Sequence, residues 1–380
     1  MGFSRGIFNS VIQRPEQIKK YVYVSHGASM SKYTTDGQLV MTGPAPGSSI
    51  INTVGVMWTD AFDDSEYLYG TRWLSGSTIY KMRKSDLYVT ASTIATNQGY
   101  GVRVMDTGRD NLYFMWETFS FNSDTASKYI NLVSKSTLRI IATFSSSTPL
   151  NGVVRFPKLM YQTDTEDVFA VGAALSTNNN TNPIMAYRSD NSTYINEVNV
   201  DSGNPRACYG IVYDKFGDHL VFSRVAGNSS NKSATTVVKK GVGTISYPSV
   251  VKTLTTNSKP FMPNNPTQDS GIGSHQSIQT SNGDIIYRTP YPTPGIPPNG
   301  IVKIYRKTWD NFYGDTNTNI FSITPVSLTN QMSIDDYDNL YLSDRFNSTS
   351  STVRKYNQYG DIVWGLTFST PNNIFAVVSN

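Results

Sequence analysis

Apolar and polar residues alternate along this chain with a period of two, and the 3.6-residue period of helices is nearly absent. The clearest stretch runs from Asn330 to Phe368, NQMSIDDYDNLYLSDRFNSTSSTVRKYNQYGDIVWGLTF. Met332–Ile334, Asn339–Ser343, Val353–Tyr356 and Ile362–Phe368 are short runs rich in β-branched and aromatic residues. Asp335-Asp336-Tyr337-Asp338, a polar loop and Gln358-Tyr359-Gly360-Asp361 separate them with turn chemistry. That alternation predicts a four-stranded antiparallel meander. The one helical candidate is Arg14–Lys20, where Pro15 suits a first turn.

A lone meander has two open edges and little core, so it should recur. A short polar residue ahead of an alternating apolar run, the mark of its second strand, stands at Lys20, Glu66, Asn111, Asp167, His219, Asp284 and Asn339. The spacings lie between 45 and 65 residues, which fits blades of ~40–50 residues carrying loops of variable length. Matching third strands read Ile79–Met82, Tyr129–Leu132, Ile184–Tyr187, Thr236–Lys239, Val302–Tyr305 and Val353–Tyr356. At the start, Tyr21–Val24, Met30–Tyr33 and Leu39–Met41 form three strands whose first partner is missing. At the end, Ile374–Val378 is a strand without a meander. The expected fold is therefore all-β: a single seven-bladed β-propeller closed by pairing of the C-terminal strand with the N-terminal blade, which removes open edges. Residues 1–20 form an N-terminal docking arm and 21–380 the propeller; two packed β-sandwiches are the competing arrangement.

The positions Asp335, Asp338-Asn339-Leu340-Tyr341-Leu342, Val353-Arg354-Lys355-Tyr356 and Gly360-Asp361 resemble one blade of an NHL-repeat β-propeller. The likeness is good for this blade and looser elsewhere. RNA-binding members of that group use a basic face, and this chain departs from them.

Charge changes the picture most. Charged residues make up 16% of the chain, against about 25% in typical globular domains. The surface must then be built from Ser, Thr, Asn and Tyr, which weakens any role needing long-range fields. The formal net charge of +4 is unevenly spread. Arg5, Arg14, Lys19 and Lys20 against Glu16 give the arm +3, leaving +1 for the other 360 residues. Nucleic-acid binding by the propeller body is disfavoured, because phosphate contacts need clustered Lys and Arg. The arm also carries Phe3, Ile7, Phe8, Val11 and Ile12. With Arg5 these are the candidate partner-binding residues; the segment either folds back on its own blade or docks on a neighbouring subunit.

Candidate chemistry is sparse. Cys208, the one cysteine, reads as a small buried residue and cannot form an intrachain disulfide. No secretory leader, myristoylation motif or membrane-spanning run is expected. The three histidines lack metal-ligand spacing, and Asp60, Asp63, Asp64 and Asp335, Asp336, Asp338 miss the calcium-loop pattern. Their place between first and second strands points to turn-building. No Asp box, nucleophile elbow or phosphate loop is present; Gly99-Tyr100-Gly101 and Gly241-Val242-Gly243 read as turns or bulges. Most tyrosines alternate within strands, where cross-strand packing explains them. Two proline-rich loops stand out, 257–274 ahead of one blade and 289–300 between that blade's second and third strands. The latter offers Tyr291, Pro294, Ile296 and Pro297 as a contact loop.

A closed β-body with few charges and a sticky arm resembles bacteriophage virion proteins in composition. The expectation is a non-enzymatic structural or attachment propeller of a virion tail or collar, without cofactor or metal. It would bind other virion proteins in several symmetric copies, with a host surface glycan as a possible target. The alternatives are a carbohydrate-binding or glycan-cleaving propeller, whose carboxylate pair would meet at the channel, and a cytoplasmic NHL-like protein-interaction scaffold.

Overall fold

The structure is a computed structural model. It describes residues 20–26, 29–43, 56–59, 66–72, 77–96, 100–106, 110–117, 128–145, 154–162, 167–174, 183–188, 194–199, 205–214, 219–226, 233–239, 250–254, 277–289, 303–314, 316–324, 328–345, 350–369 and 375–379. These form seven four-stranded antiparallel sheets. Six are continuous meanders, the second to seventh sheets, spanning 56–96, 100–145, 154–199, 205–254, 277–323 and 328–368. The first sheet takes Tyr21–His26, Ser29–Thr34 and Leu39–Thr42 from the start of the chain and Phe375–Ser379 from its end. Val22 pairs with Val378 and Val24 with Ala376 in an antiparallel ladder. The C-terminal strand thus stands where every other sheet has its own first strand.

Why four strands in this order? The second strands of the first, second, sixth and seventh sheets are covered on both faces, so their alternation is of size and shape and not of polarity. In Tyr21–His26 every residue from Val22 to Ser25 is buried. Val22 and Val24 pack with Tyr341, Val353 and Tyr33 against the seventh sheet. Tyr23, on the opposite face, packs with Leu68, Tyr80, Met82 and Leu87 of the second sheet. The assignment repeats one sheet on: Leu68 faces back, and Tyr69 faces forward onto Leu112, Phe114 and Val133. In the seventh sheet Leu340 and Leu342 face back onto Ile286, Ile304 and Phe321, and Tyr341 faces forward. The first, second and seventh sheets each bury one face on the preceding sheet and the other on the next, the seventh standing before the first.

The first strands of successive sheets also touch one another. Phe375–Ser379 lies against Val56–Thr59 of the second sheet and Leu328–Ile334 of the seventh.

The turns joining third and fourth strands follow two designs. In the first and seventh sheets a glycine adopts the left-handed conformation, Gly37 at φ 82° and Gly360 at φ 91°. In the second and third sheets a leucine does so, Leu87 at φ 58° and Leu138 at φ 54°. A left-handed leucine costs about 1–2 kcal/mol, but both side chains are buried between sheets. Burial contributes about 2 kcal/mol or more, so it offsets the strain.

Two readings need correction. Short helical structure does occur, as Trp309–Tyr313 between the third and fourth strands of the sixth sheet. Its signal was local: Thr308 caps it by accepting from the Asn311 amide, and Gly314 closes it. The structural equivalents of Asn339 in the first two sheets are Tyr21 and Tyr67, one residue after Lys20 and Glu66. The paired positions Tyr23–Lys32, Tyr69–Lys81 and Tyr341–Lys355 fix this. Tyr-x-Tyr alternation fits either register, so sequence alone slipped by one. Gly101 does sit at a bulge against Trp116. The candidate helix at 14–20 lies outside the described residues up to Lys20, which is not helical.

The seam is the test of this packing. Val378→Asp, which places a carboxylate among Val22, Val24 and Tyr341, should lower unfolding stability by about 3 kcal/mol or more in urea titrations. Val363→Asp, at an exposed position of the seventh sheet, should change it by less than about 0.5 kcal/mol.

Candidate interaction site

A basic side chain on the third strand of one sheet reaches the turn of the next, and this contact recurs. Lys32 Nζ donates to the carbonyl of Lys84 at 3.2 Å, and Lys81 Nζ to that of Lys135 at 3.0 Å. Lys355 Nζ donates to the carbonyl of Thr35 at 3.0 Å, and Arg306 Nη1 to that of Gln358 at 3.4 Å. The lysines lie over tyrosine rings, Lys32 4.0 Å from the Tyr21 centroid and Lys81 4.0 Å from that of Tyr67. An ammonium desolvated between sheets needs such partners, and burial lowers the pKa of Lys32. The contact at Thr35 joins the seventh sheet to the first by the same device that joins neighbours in the chain.

Thr35 is the most crowded of these carbonyls. Trp364 Nε1 also donates to it at 3.0 Å, and the indole lies against Gly37, where an added Cβ would sit 3.1 Å from it. Below it, Asp335 organises the neighbouring turn. Its carboxylate accepts from the amides of Tyr337 and Asn339 at 3.0 Å each and from the Tyr341 hydroxyl at 2.9 Å. Burial, then the charge of Asp335, raises the pKa of that phenol far above its ordinary value. Asp338, at φ 58°, accepts from the amide and hydroxyl of Ser281 in the sixth sheet at 2.8 and 2.7 Å. Asp284 accepts from Arg306 Nε and Nη2 at 2.9 and 2.8 Å. These buried carboxylates are therefore held within turns and between sheets. Among the described residues no group of three or more His, Cys, Asp and Glu is arranged to hold a metal ion.

Apolar residues remain accessible as well. The exposed large apolar residues gather where the turns lead into the fourth strands: Leu39 and Val40, Tyr88, Ile140 and Ile141, Ile320, Ile362 and Val363. Tyr337 and Tyr359 stand 65% and 67% exposed at the two turn tips of the seventh sheet. The fourth strands Leu39–Thr42, Tyr88–Thr96, Ile140–Ser145, Phe321–Ile323 and Ile362–Phe368 contain no charged residue and no proline. Charges and prolines are the usual guards of an exposed edge. Phe321 and Ile323 are themselves buried, so bare apolar edges stand on four sheets, a feature suited to contact with protein.

The arm residues Phe3, Arg5, Ile7, Phe8, Val11 and Ile12 and the loop residues Tyr291, Pro294, Ile296 and Pro297 lie outside the described residues. The same holds for Asp60, Asp63 and Asp64. The turn-building reading of Asp335 and Asp338 agrees with their hydrogen bonds. The third strands carry a recurrent Lys or Arg in the sequence, but its reach to the next sheet is not readable there. Its signal, Lys32, Lys81 and Lys355 each opposite a tyrosine, is visible only once the strands are paired.

Two measurements bear on this seam. Gly37→Ala combines a left-handed φ with an indole in the way, and should cost about 1–2 kcal/mol of stability. Gly365→Ala, whose Cβ would meet Arg354 Cγ at 3.5 Å, should be tolerated. His26 lies 2.8 Å from Ser31 Oγ and 4.6 Å from the Phe368 ring, and burial lowers its pKa from the ordinary 6.5. The folded state then binds the proton less readily than the unfolded state, so stability is full above 6.5 and declines as pH falls below it. Thermal midpoints should drop less on acidification in His26→Gln than in the parent.

No family model matches the chain, and no curated protein matches it in sequence. Many solved structures share the fold, propeller folds among them. A functionally unknown protein from Desulfotomaculum acetoxidans aligns with a TM-score of 0.61 at 12% identity, over 94% of this chain and 99% of the other. A hypothetical selenium-binding protein from Sulfolobus tokodaii gives 0.60 at 9% identity, over 94% and 93%. A protein of Bacteroides uniformis described provisionally as a 6-phosphogluconolactonase gives 0.57 at 12% identity, over 95% and 100%. At these identities the likeness shows a propeller-like fold and nothing of activity.

Proposed function

We propose that the seven sheets close into one seven-bladed β-propeller serving as a non-enzymatic structural and attachment module. The supports for closure are the ladder between the two ends of the chain, the first-strand contacts on either side of it, and the Lys355–Thr35 contact. One observation carries the function: the outer strands of four sheets are uncharged and present Leu39, Val40, Tyr88, Ile140, Ile141, Ile362 and Val363 to the surroundings. Such edges favour association with other protein chains. The low charge content matches virion components, so we place the module in a bacteriophage tail or collar. There it would bind neighbouring virion proteins in several symmetric copies. The lactonase description belongs to the neighbour that carries it.

Sedimentation of the full chain over a wide concentration range tests this. Association should grow with concentration and be lost in a Val40→Lys, Ile141→Lys double variant whose thermal midpoint is unchanged. A monomer at every concentration contradicts the assembly reading, and hydrolysis of a sugar lactone by the purified chain contradicts the non-enzymatic one.

A further inference from the structure

We propose that the turn end of the seventh sheet is the docking site of this chain's own residues 1–19. Lys20 is where that segment joins the described fold, and its Nζ lies 2.8 Å from Asp336 Oδ1 on the turn between the first two strands of the seventh sheet. The end of the segment is thereby tied to the seventh sheet. Tyr337 follows Asp336 directly, and Tyr359 stands on the companion turn; both are about two-thirds exposed.

The charge of the surface fits this occupant. Asp36, Glu66, Asp110, Asp310, Asp336 and Asp361 are exposed at the turn end of their sheets, and the accessible cations among the described residues there are Arg139 and Arg83, the latter already paired with Asp86. The imbalance has a structural origin, since Lys32, Lys81, Arg306 and Lys355 are turned inward to hold the next sheet. Residues 1–19 carry Arg5, Arg14 and Lys19 against Glu16, interleaved with Phe3, Ile7, Phe8, Val11 and Ile12. Cations meet carboxylates while apolar side chains cover exposed tyrosines, as in a polar rim around apolar anchors.

Tethering selects the chain's own segment over a second copy. A segment attached within a few residues of its site meets it at an effective concentration in the millimolar range, above that of other copies in dilute solution. The site is separate from Val40 and Ile141, the outer-strand residues whose substitution tests the assembly reading, so either can fail alone.

Limited trypsin digestion of the full chain at low salt, with cleavage after Arg5 followed by intact mass, tests the proposal. Cleavage should be slow, independent of protein concentration, and about tenfold or more faster in an Asp336→Asn, Asp361→Asn variant with an unchanged thermal midpoint, a change of ~1.4 kcal/mol in docking. A Tyr337→Ser, Tyr359→Ser variant should show the same release. Equal rates in the parent and both variants overturn the docking site. Protection that strengthens with protein concentration overturns the choice of occupant and assigns the site to a second copy.

Discussion

Face-to-face burial of the second strands is the constraint on which the fold depends. Val22 and Tyr23 look in opposite directions, yet neither is exposed, because the first sheet lies between the seventh and the second. A sheet built this way is not stable alone, since removing either neighbour uncovers one of its two apolar faces. The turn cations add direction. A lysine emerging from apolar packing must find an acceptor, and the carbonyl on the next turn is the one within reach. Forward-facing tyrosine and forward-reaching lysine thus set both the spacing and the order of successive sheets.

Much of this was legible in the sequence, for a physical reason. Strands covered on both faces read as unbroken apolar runs, and YVYV, EYLY and NLYLS stand out from polar surroundings. The unpaired strand around Phe375 and the incomplete meander at Tyr21 pointed to each other because open edges are unfavourable. The one-residue slip at Lys20 and Glu66 arose where two tyrosines alternate and either could be the forward one. The helix at Trp309–Tyr313 escaped because five residues are too few for a periodic signal, although Thr308 and Gly314 mark its ends. The contacts at Thr35 were beyond reach, since Lys355, Trp364 and Gly37 meet only after the two ends of the chain are brought together.

The same inward turning of cations links the fold to its surface. Lysines and an arginine consumed between sheets leave the turn tips acidic, and fourth strands at the outer edge keep apolar residues with no further sheet to cover them. What the chain offers to other molecules is the remainder of its own packing rules. It is a periphery of bare edges and a turn face of opposite charge to its first nineteen residues.

Native-state hydrogen exchange, read by mass spectrometry on peptides containing Phe375–Ser379 and Tyr21–His26, tests the central claim most directly. If sheet stacking depends on the two ends meeting, both segments should exchange together and as slowly as the second strand of the seventh sheet. Exchange of the Phe375 segment at the rate of a free chain, while Leu340–Arg345 stays protected, would contradict it.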